Sequence, residues 1–419
     1  MKETTDILVL GAGPGGVAAA LQLSNLGIPC TLVDKAVFPR DKICGDAISG
    51  KVVSVFNKID EQIFRDFYYQ NSIKADSFGV NFFFPQELNI ELYYSAKSKV
   101  RVDQTNKKVP DGFVAKRIDF DNFLVDYVRQ RENIDFLEGV KITHIERLEE
   151  GFLLKTDKEE LQIQTKLVIA ADGAQSKFAR QIGNIHKEDR HYAGAVRAYY
   201  KNVKGINADN FIELHYVKEL YPGYLWIFPL PDNQANVGLG MRTDKLSKRK
   251  VNMNKELTRI LKEHPRFKER FTEAELTDKI RGFGLPFGSK KRKISGDNYL
   301  LVGDAASLID PLTGEGIGNA AISGQYAALQ VKECLEKNDF SAQFMAAYDQ
   351  KIYKRLWNEL RISKNLQTLL DYPWLVQPVI KIIANNKRFT ELLSSMFTDI
   401  DLRKKLRNPM FYVRLLLNK

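Results

Sequence analysis

Apolar positions along the chain change period several times, and each change marks an element. Residues 6–10 and 30–33 are continuous apolar runs of strand length, and the alanine- and leucine-rich residues 15–26 between them end at Gly27, as a helix would. Strand, helix and buried strand in that order predict a βαβ unit on a parallel sheet. Residues 118–131 place Phe120, Phe123, Leu124 and Tyr127 on one face of an otherwise polar stretch, the pattern of a surface helix. Short strands are expected from residue 134 to 170, with turns at 149–151 and 157–160, as a small antiparallel insert that returns to a buried strand at 167–170. Residues 192–241 alternate and are rich in aromatics, among them Tyr199, Tyr216, Tyr224, Trp226 and Phe228, which predicts a second sheet. Residues 299–302 form a further buried strand, and the chain after Phe340 reads as helix with a break at 371–373, where Pro373 stands.

Composition narrows the class. A chain of 419 residues suffices for two or three domains with cores of their own. No apolar run reaches the roughly 20 residues of a membrane-spanning helix. Residues 1–6 lead directly into the first strand, without the charged start and cleavage site of a signal peptide. Cys30, Cys44 and Cys334 are too few and too scattered for a disulfide framework, so a reducing cytoplasm is expected. No Cys/His spacing fits zinc, and no metal site is expected. The net charge of +11 is uneven: residues 349–419 carry 14 Lys and Arg against 6 Asp and Glu, a surplus of 8. A solvated helical surface and attraction to anionic membrane both fit this. Val379, Ile380, Ile382 and Ile383 lie near Lys381, Lys387 and Arg388, and apolar residues at 410–417 surround Arg414. Such faces can rest on a membrane surface or pack as ordinary helices. No nucleic-acid motif accompanies the charge, so nucleic acid is not an expected partner.

Two glycine-rich loops carry the chemistry. Gly11, Gly13 and Gly16 are spaced GxGxxG, with Gly15 beside them, after a strand and at the start of a helix, the context of a dinucleotide fingerprint. Gly11 allows the tight turn, Gly13 close approach to a pyrophosphate and Gly16 packing of helix on strand. Asp34 ends the second strand, where a carboxylate can accept from a ribose hydroxyl. A plain tight turn has the same pattern, and the motif does not choose between NAD and FAD. The second loop, residues 303–317, follows a buried strand. Asp304 stands where open α/β sheets contact ligands, and Gly314, Gly316 and Gly318 open the next helix, so its free N–H groups are expected to face an electron-accepting ring.

Together these loops resemble the FAD flavoproteins of the aromatic-hydroxylase type, over roughly residues 6–328. The resemblance implies an α/β chain (α+β overall): a Rossmann-like FAD-binding domain (residues 1–75, 105–183 and 276–335), an antiparallel β-sheet substrate domain (76–104 and 184–275) and a C-terminal helical region (336–419). It places Asp304 on the ribityl chain, with Gly303 and Pro311 in the same loop, and Gly314, Gly316 and Ile317 at the isoalloxazine. It adds the Asp172-Gly173 pair, Arg117 and Val140 as cofactor contacts. The glycine-rich residues 281–288 are expected to cross near the flavin as a loop.

Two segments narrow the family further. Pro39-Arg40-Asp41-Lys42-Ile43-Cys44-Gly45, followed by Asp46, resembles the PxxKxCG signature of geranylgeranyl reductases; Tyr224-Leu225-Trp226-Ile227-Phe228-Pro229, then Gly238-Leu239-Gly240, resembles their YxWxFP…GxG signature. This implies saturation of C=C bonds in the prenyl chain of a lipid or quinone, with hydride from reduced flavin to one carbon and a proton to the other. Lys35, Arg40, Cys44, Gly45 and Asp46 would lie near the flavin. Cys44 is the candidate proton donor or substrate positioner, and Tyr224 and Trp226 belong to the wall for a long apolar isoprenoid. Without the family's signature, that alternating aromatic row would read as sheet packing. With no second GxGxxG, electrons would come from transiently docked NAD(P)H or from ferredoxin. A cytoplasmic protein touching the inner face of an anionic membrane through its basic C-terminal region is expected. A flavin hydroxylase or halogenase, whose related signature is WxWxIP, and a flavin-binding lipid carrier without turnover are the alternatives.

Overall fold

The computed structural model describes residues 2–85, 88–94, 108–158, 161–372 and, beyond these, 374, 376, 378 and 380. The first strand, Lys2–Leu10, lies at the centre of an eight-stranded sheet. It pairs in parallel with Cys30–Val33 on one side and Gln162–Ala170 on the other. Ile134–Leu137 and Tyr299–Leu301 extend the parallel order outwards. Val9, Leu32, Val168 and Leu300 are fully buried, as expected of strands covered on both faces. The expected antiparallel insert is the hairpin Ile142–Arg147/Phe152–Thr156, docked on Gln162–Ala170.

Helix Pro14–Asn25 crosses helix Ile317–Lys337 on this sheet at a contact only glycine allows. A Cβ on Gly324 would lie 2.0 Å from the Gly15 carbonyl oxygen, so the two backbones touch. This crossing fixes the glycine loop that opens one helix against the loop that opens the other.

The second sheet runs in the order Glu275–Leu276, Tyr192–Lys201, Gln234–Arg242, Tyr224–Leu230, Ile212–His215, Gly79–Phe83, Asn89–Tyr93. It is antiparallel except where Ile212–His215 meets Gly79–Phe83 in parallel. That strand enters from the distant segment before residue 85 and joins by a crossover, not by a hairpin. Residues 281–288 differ from the sequence expectation: Arg281–Pro286 is a strand paired with Tyr192–Lys201. Its alternation is hidden by Gly282 and Gly284. A Cβ on Gly284 would sit 2.0 Å from the Tyr192 hydroxyl, so glycine there makes room for a ring lying across the strand.

Helices Gly50–Ile59, Glu61–Tyr68 and Met253–Glu263 were not evident from the sequence. A small sheet of Ala47–Ile48, Gly112–Ala115 and Lys74–Ser77 lies next to the first two in the chain. The last long helix, Ala342–Leu369, ends two residues before the expected break. It is tied to the main sheet by Tyr348, whose hydroxyl donates to the Leu301 carbonyl at 2.8 Å. The basic segment from Lys381 onwards lies outside the described residues. Among the described residues, no helix is long and apolar enough to cross a membrane.

Candidate active site

A cavity of about 660 Å³ runs from the first glycine loop to the aromatic face of the second sheet. At its glycine-loop end, Gly11 has φ of 102° and donates its N–H to the Val33 carbonyl at 2.7 Å. Gly13 caps helix Pro14–Asn25, and among the described residues no side chain makes a cap hydrogen bond there. A Cβ built on Gly13 meets nothing within 4 Å, so this is the open side of the loop. Exposed first-turn N–H groups and the helix dipole make an anion seat there. Gly16 is different: a Cβ would fall 1.8 Å from the Gly11 carbonyl oxygen, and the residue packs the turn without lining the cavity. Asp34 accepts from the backbone N–H of Ala12 at 2.8 Å and of Ala36 at 2.9 Å. Those bonds hold its carboxylate beside the loop. Val140 donates its N–H to the Asp34 carbonyl at 2.9 Å and lines the cavity next to Lys35.

The second loop is built around a buried acid. Asp310 Oδ1 accepts from the N–H groups of Leu312 and Thr313, both at 2.9 Å, and Oδ2 from Ser363 Oγ at 2.5 Å. Pro311 points away from the cavity, with its carbonyl accepting from Gln367. Ser363 and Gln367 belong to the last long helix, which therefore clamps this loop from behind. The expectation of free N–H groups at Gly318 needs correction. The helix starts at Ile317, and Glu315 Oε1 accepts the Gly318 N–H at 2.6 Å. Burial pushes the Glu315 carboxyl up, against the opposing pulls of the Gly318 N–H and Lys51. Asp304, Gly303, Gly314, Gly316 and Ile317 line the cavity. A Cβ on Gly314 would lie 2.9 Å from the Tyr224 hydroxyl, which donates to the Thr313 carbonyl at 2.7 Å. Tyr224 is thus tied to the second loop.

Cys44 lies where the two halves of the cavity meet. Asn236, fully buried in strand Gln234–Arg242, organises the junction. Its Oδ1 accepts from Trp226 Nε1 at 2.8 Å, and its Nδ2 donates to the Cys44 carbonyl at 2.8 Å and to Asp46 Oδ2 at 2.7 Å. Tyr199 Oη also donates to Asp46 Oδ2, at 2.8 Å. Gly45 packs so closely that a Cβ would be 3.0 Å from the Phe228 ring. Burial pushes the Asp46 carboxyl up to about 6, against the pulls of Arg197, Asn236, Tyr199 and Arg117. The Cys44 thiol is also pushed up, first by burial; Arg117 pulls it down and the Asp46 charge pushes it up again. Arg117 pairs bidentately with Asp121 at 2.6 and 2.7 Å, and Arg40 reaches the same carboxylate at 2.5 Å. Burial would raise Asp121, but the two guanidinium groups outweigh it and hold the carboxyl below its ordinary range.

These residues fit FAD. The slot is extended, with an open anion seat at Gly13 and carboxylates at Asp34 and Asp304. Gly173, at φ of 79°, leaves open space where a side chain would project. Buried oxygens on Asp172 and Asp46 have no hydrogen-bond partner among the described residues, as expected where a ligand completes the set. Residues 4–358 match the family model described as the FAD binding domain. The chain belongs to this family. It is 29% identical over 361 residues to the digeranylgeranylglycerophospholipid reductase of Thermoplasma acidophilum, with 84% of each chain covered. It is 25% identical over 416 residues to the menaquinone reductase of Mycobacterium tuberculosis, covering 96% of this chain and 93% of that one. The fold matches the crystal structure of a geranylgeranyl bacteriochlorophyll reductase-like protein from T. acidophilum with a TM-score of 0.79. Identity there is 24%, and 97% of this chain and 100% of that one are covered. A flavin-dependent halogenase shares the fold at a TM-score of 0.69 and 22% identity, over 85% of this chain and 62% of that one. The protein is an FAD-dependent oxidoreductase similar to the geranylgeranyl reductases, and FAD is its cofactor.

In this flavoenzyme, the sequence-derived residues converge on the cavity, apart from Gly16 and Pro311. Asn236, Tyr199, Glu315 and Lys51 were missed. An asparagine amid the apolar residues of Gln234–Arg242 was a readable signal, because a buried amide needs partners. Lys51, ion-paired with Glu359 at 2.5 Å across 308 residues, carried no local signal. His215 pairs with Glu213 at 2.8 Å; both alternate along the strand with the cavity-lining Ile212 and Leu214, so they face away from it.

Proposed function

We propose that this flavoenzyme saturates carbon–carbon double bonds in the prenyl chain of a lipid or quinone. The observation that carries the reading is the cavity itself. It continues from the nucleotide loop past Cys44 to an apolar wall of Ile212, Leu214, Trp226, Phe228, Phe283 and Leu285. The names of the relatives, which are lipid and quinone reductases, support it.

When bound and reduced, FAD supplies the hydride; the chain supplies position and a proton. Trp226 has its indole N–H engaged by Asn236, and Tyr224 has its hydroxyl engaged by Thr313. Both therefore offer ring surface to an apolar chain and serve as positioning residues. Cys44, half-buried at the junction, keeps its proton because burial and the Asp46 charge favour the neutral thiol. It is the proposed donor to the alkene carbon that does not receive hydride. NAD(P)H or ferredoxin is the proposed source of electrons, and the basic C-terminal region the proposed contact with anionic lipid.

Anaerobic reduction of the FAD-loaded enzyme, then mass spectrometry of a prenyl-lipid panel, tests the reaction. A gain of two hydrogens per double bond supports it, and no gain across the panel rejects it. Cys44→Ala protein that keeps both FAD and full turnover would remove the donor role. Co-sedimentation with liposomes tests the membrane contact; equal pelleting on neutral and anionic lipid, or none, removes the charge-driven version.

A further inference from the structure

Helix Ile317–Lys337 opens at the cavity with no side-chain cap on Gly316 and no acid in its first turn. The acid just outside it, Glu315, folds back over that opening. Its Oε1 accepts the Gly318 N–H at 2.6 Å, and the residue lines the cavity. Glycine at 318 makes room for this: a Cβ there would lie 2.8 Å from Lys51 Cβ, 3.0 Å from Glu315 Oε1 and 3.4 Å from Ser49 Oγ. The carboxyl is therefore wedged between the starts of helices Ile317–Lys337 and Gly50–Ile59. Ser49 also lines the cavity, its buried Oγ without a hydrogen-bond partner among the described residues. Further acids stand close by. Asp304 Oδ1 would be 3.6 Å from a Cβ on Gly316, and Asp310 is buried in the same loop. Tyr94, after strand Asn89–Tyr93, lies within reach of the Glu315 charge. The neighbouring cation, Lys51, is bonded to Glu359 of helix Ala342–Leu369 at 2.5 Å, and Arg355 of that helix pairs with Glu359 at 3.3 Å.

We propose that Glu315 holds the reduction potential of bound FAD low, by setting a negative charge against the helix end that would otherwise stabilise the reduced ring. This takes the ring to lie at Gly314, Gly316 and Ile317, where the family resemblance puts it, and it deepens the reductase reading. A helix N-terminus carries about half a positive charge, which favours a ring that becomes negative on reduction. A carboxylate at that terminus offsets the partial charge and occupies one of the free N–H donors. Away from bulk water such charges act over several ångströms. The consequence suits the chemistry, because an isolated alkene is a poor hydride acceptor and a lower potential makes the cofactor a stronger hydride donor. Burial opposes ionisation of Glu315, while the Gly318 N–H and Lys51 favour it. The effect is therefore largest at high pH and fades as the carboxyl takes up its proton.

The test is the midpoint potential of FAD on the full-length enzyme, read from flavin absorbance against reference dyes across the pH range in which the protein is stable. No prenyl substrate is present. Glu315→Gln keeps an oxygen for the Gly318 N–H and removes only the charge. At the alkaline end of the range its bound flavin should be at least tenfold easier to reduce, a rise of about 30 mV for a two-electron couple. The gap to the wild type should close as pH falls. Glu315→Ala removes the same charge and should also raise the potential, which keeps the proposal testable if Glu315→Gln does not fold or load FAD. A merely structural role would change FAD affinity and leave the potential where it was. A potential that is unchanged at every pH, or that falls, overturns the proposal. Because no alkene takes part, that result leaves the reductase reading standing. The reductase reading falls separately, if the reduced wild-type enzyme leaves prenyl lipid unchanged in mass.

Discussion

Replacing Asn236 by leucine would remove the side chain that, among the described residues, hydrogen-bonds both the Cys44 loop and the aromatic strand. The two residues are close in volume, so the main effect is on hydrogen bonding. Trp226 Nε1 loses its acceptor, and the Cys44 carbonyl loses its side-chain donor. Asp46 Oδ2 keeps only the Tyr199 hydroxyl. Each buried group left unpaired costs about 1–3 kcal/mol. Two such groups give roughly 2–6 kcal/mol, before any cost at Asp46. Against a total stability of about 5–15 kcal/mol that is a large fraction. At about 2 °C per kcal/mol for a large domain, thermal release of flavin, followed by its fluorescence, should shift down by roughly 4–12 °C. Trp226→Phe alone leaves Asn236 Oδ1 without its partner and should cost about 1–3 kcal/mol. The double variant should fall short of the sum of the singles, as residues sharing one network do. Asn236→Leu protein that binds FAD normally and releases it within about 2 °C of the wild type would refute the view of Asn236 as the organiser of this junction.

Three further outcomes follow from the geometry. Gly324→Ala should destabilise the helix crossing and weaken FAD binding at least about tenfold (~1.4 kcal/mol), because its Cβ would meet the Gly15 carbonyl at 2.0 Å; titration of apoprotein with FAD measures this. Asp46 is pushed up to about 6, above its unfolded value, so the native state binds the extra proton. Stability is then greatest below about pH 4 and is lost as pH rises towards about 6, by about 3 kcal/mol from this group. In denaturant titrations at several pH values, the wild type should lose stability across that window relative to Asp46→Asn; parallel curves would contradict it. Trp226→Ala should raise KM for a prenyl substrate while leaving bound flavin in place, since it removes wall from the apolar end; steady-state kinetics and the flavin-to-protein absorbance ratio separate the two.

Much of the parallel half of the fold was legible because its strands are unbroken apolar runs and its glycine loops have fixed spacing. Gly11, Gly13 and Asp34 fall where that spacing put them. The second sheet was legible as a sheet, but the Arg281–Pro286 strand was not, because alternating glycines erase the polar half of a strand pattern. Helix Gly50–Ile59 has no capping side-chain bond, and Glu61–Tyr68, though capped by Asp60, is only eight residues long; their burial comes from tertiary packing against the Ile317–Lys337 and Arg117–Arg129 helices. Of the candidate site, motif residues could be named one by one, yet their connections could not. Ser363 behind Asp310 and Lys51 facing Glu359 join positions far apart in the chain. The Asn236 bridge needs the pairing of Phe228 with Asn236, which no local pattern reveals.

The most direct test of the central claim is stoichiometric. Enzyme-bound FAD is reduced under anaerobic conditions, mixed with a geranylgeranyl lipid, and followed by flavin absorbance and product mass together. One flavin reoxidised for each double bond saturated, without oxygen, is the predicted result. Flavin that stays reduced until oxygen is admitted, with the lipid unchanged in mass or gaining oxygen, would contradict it.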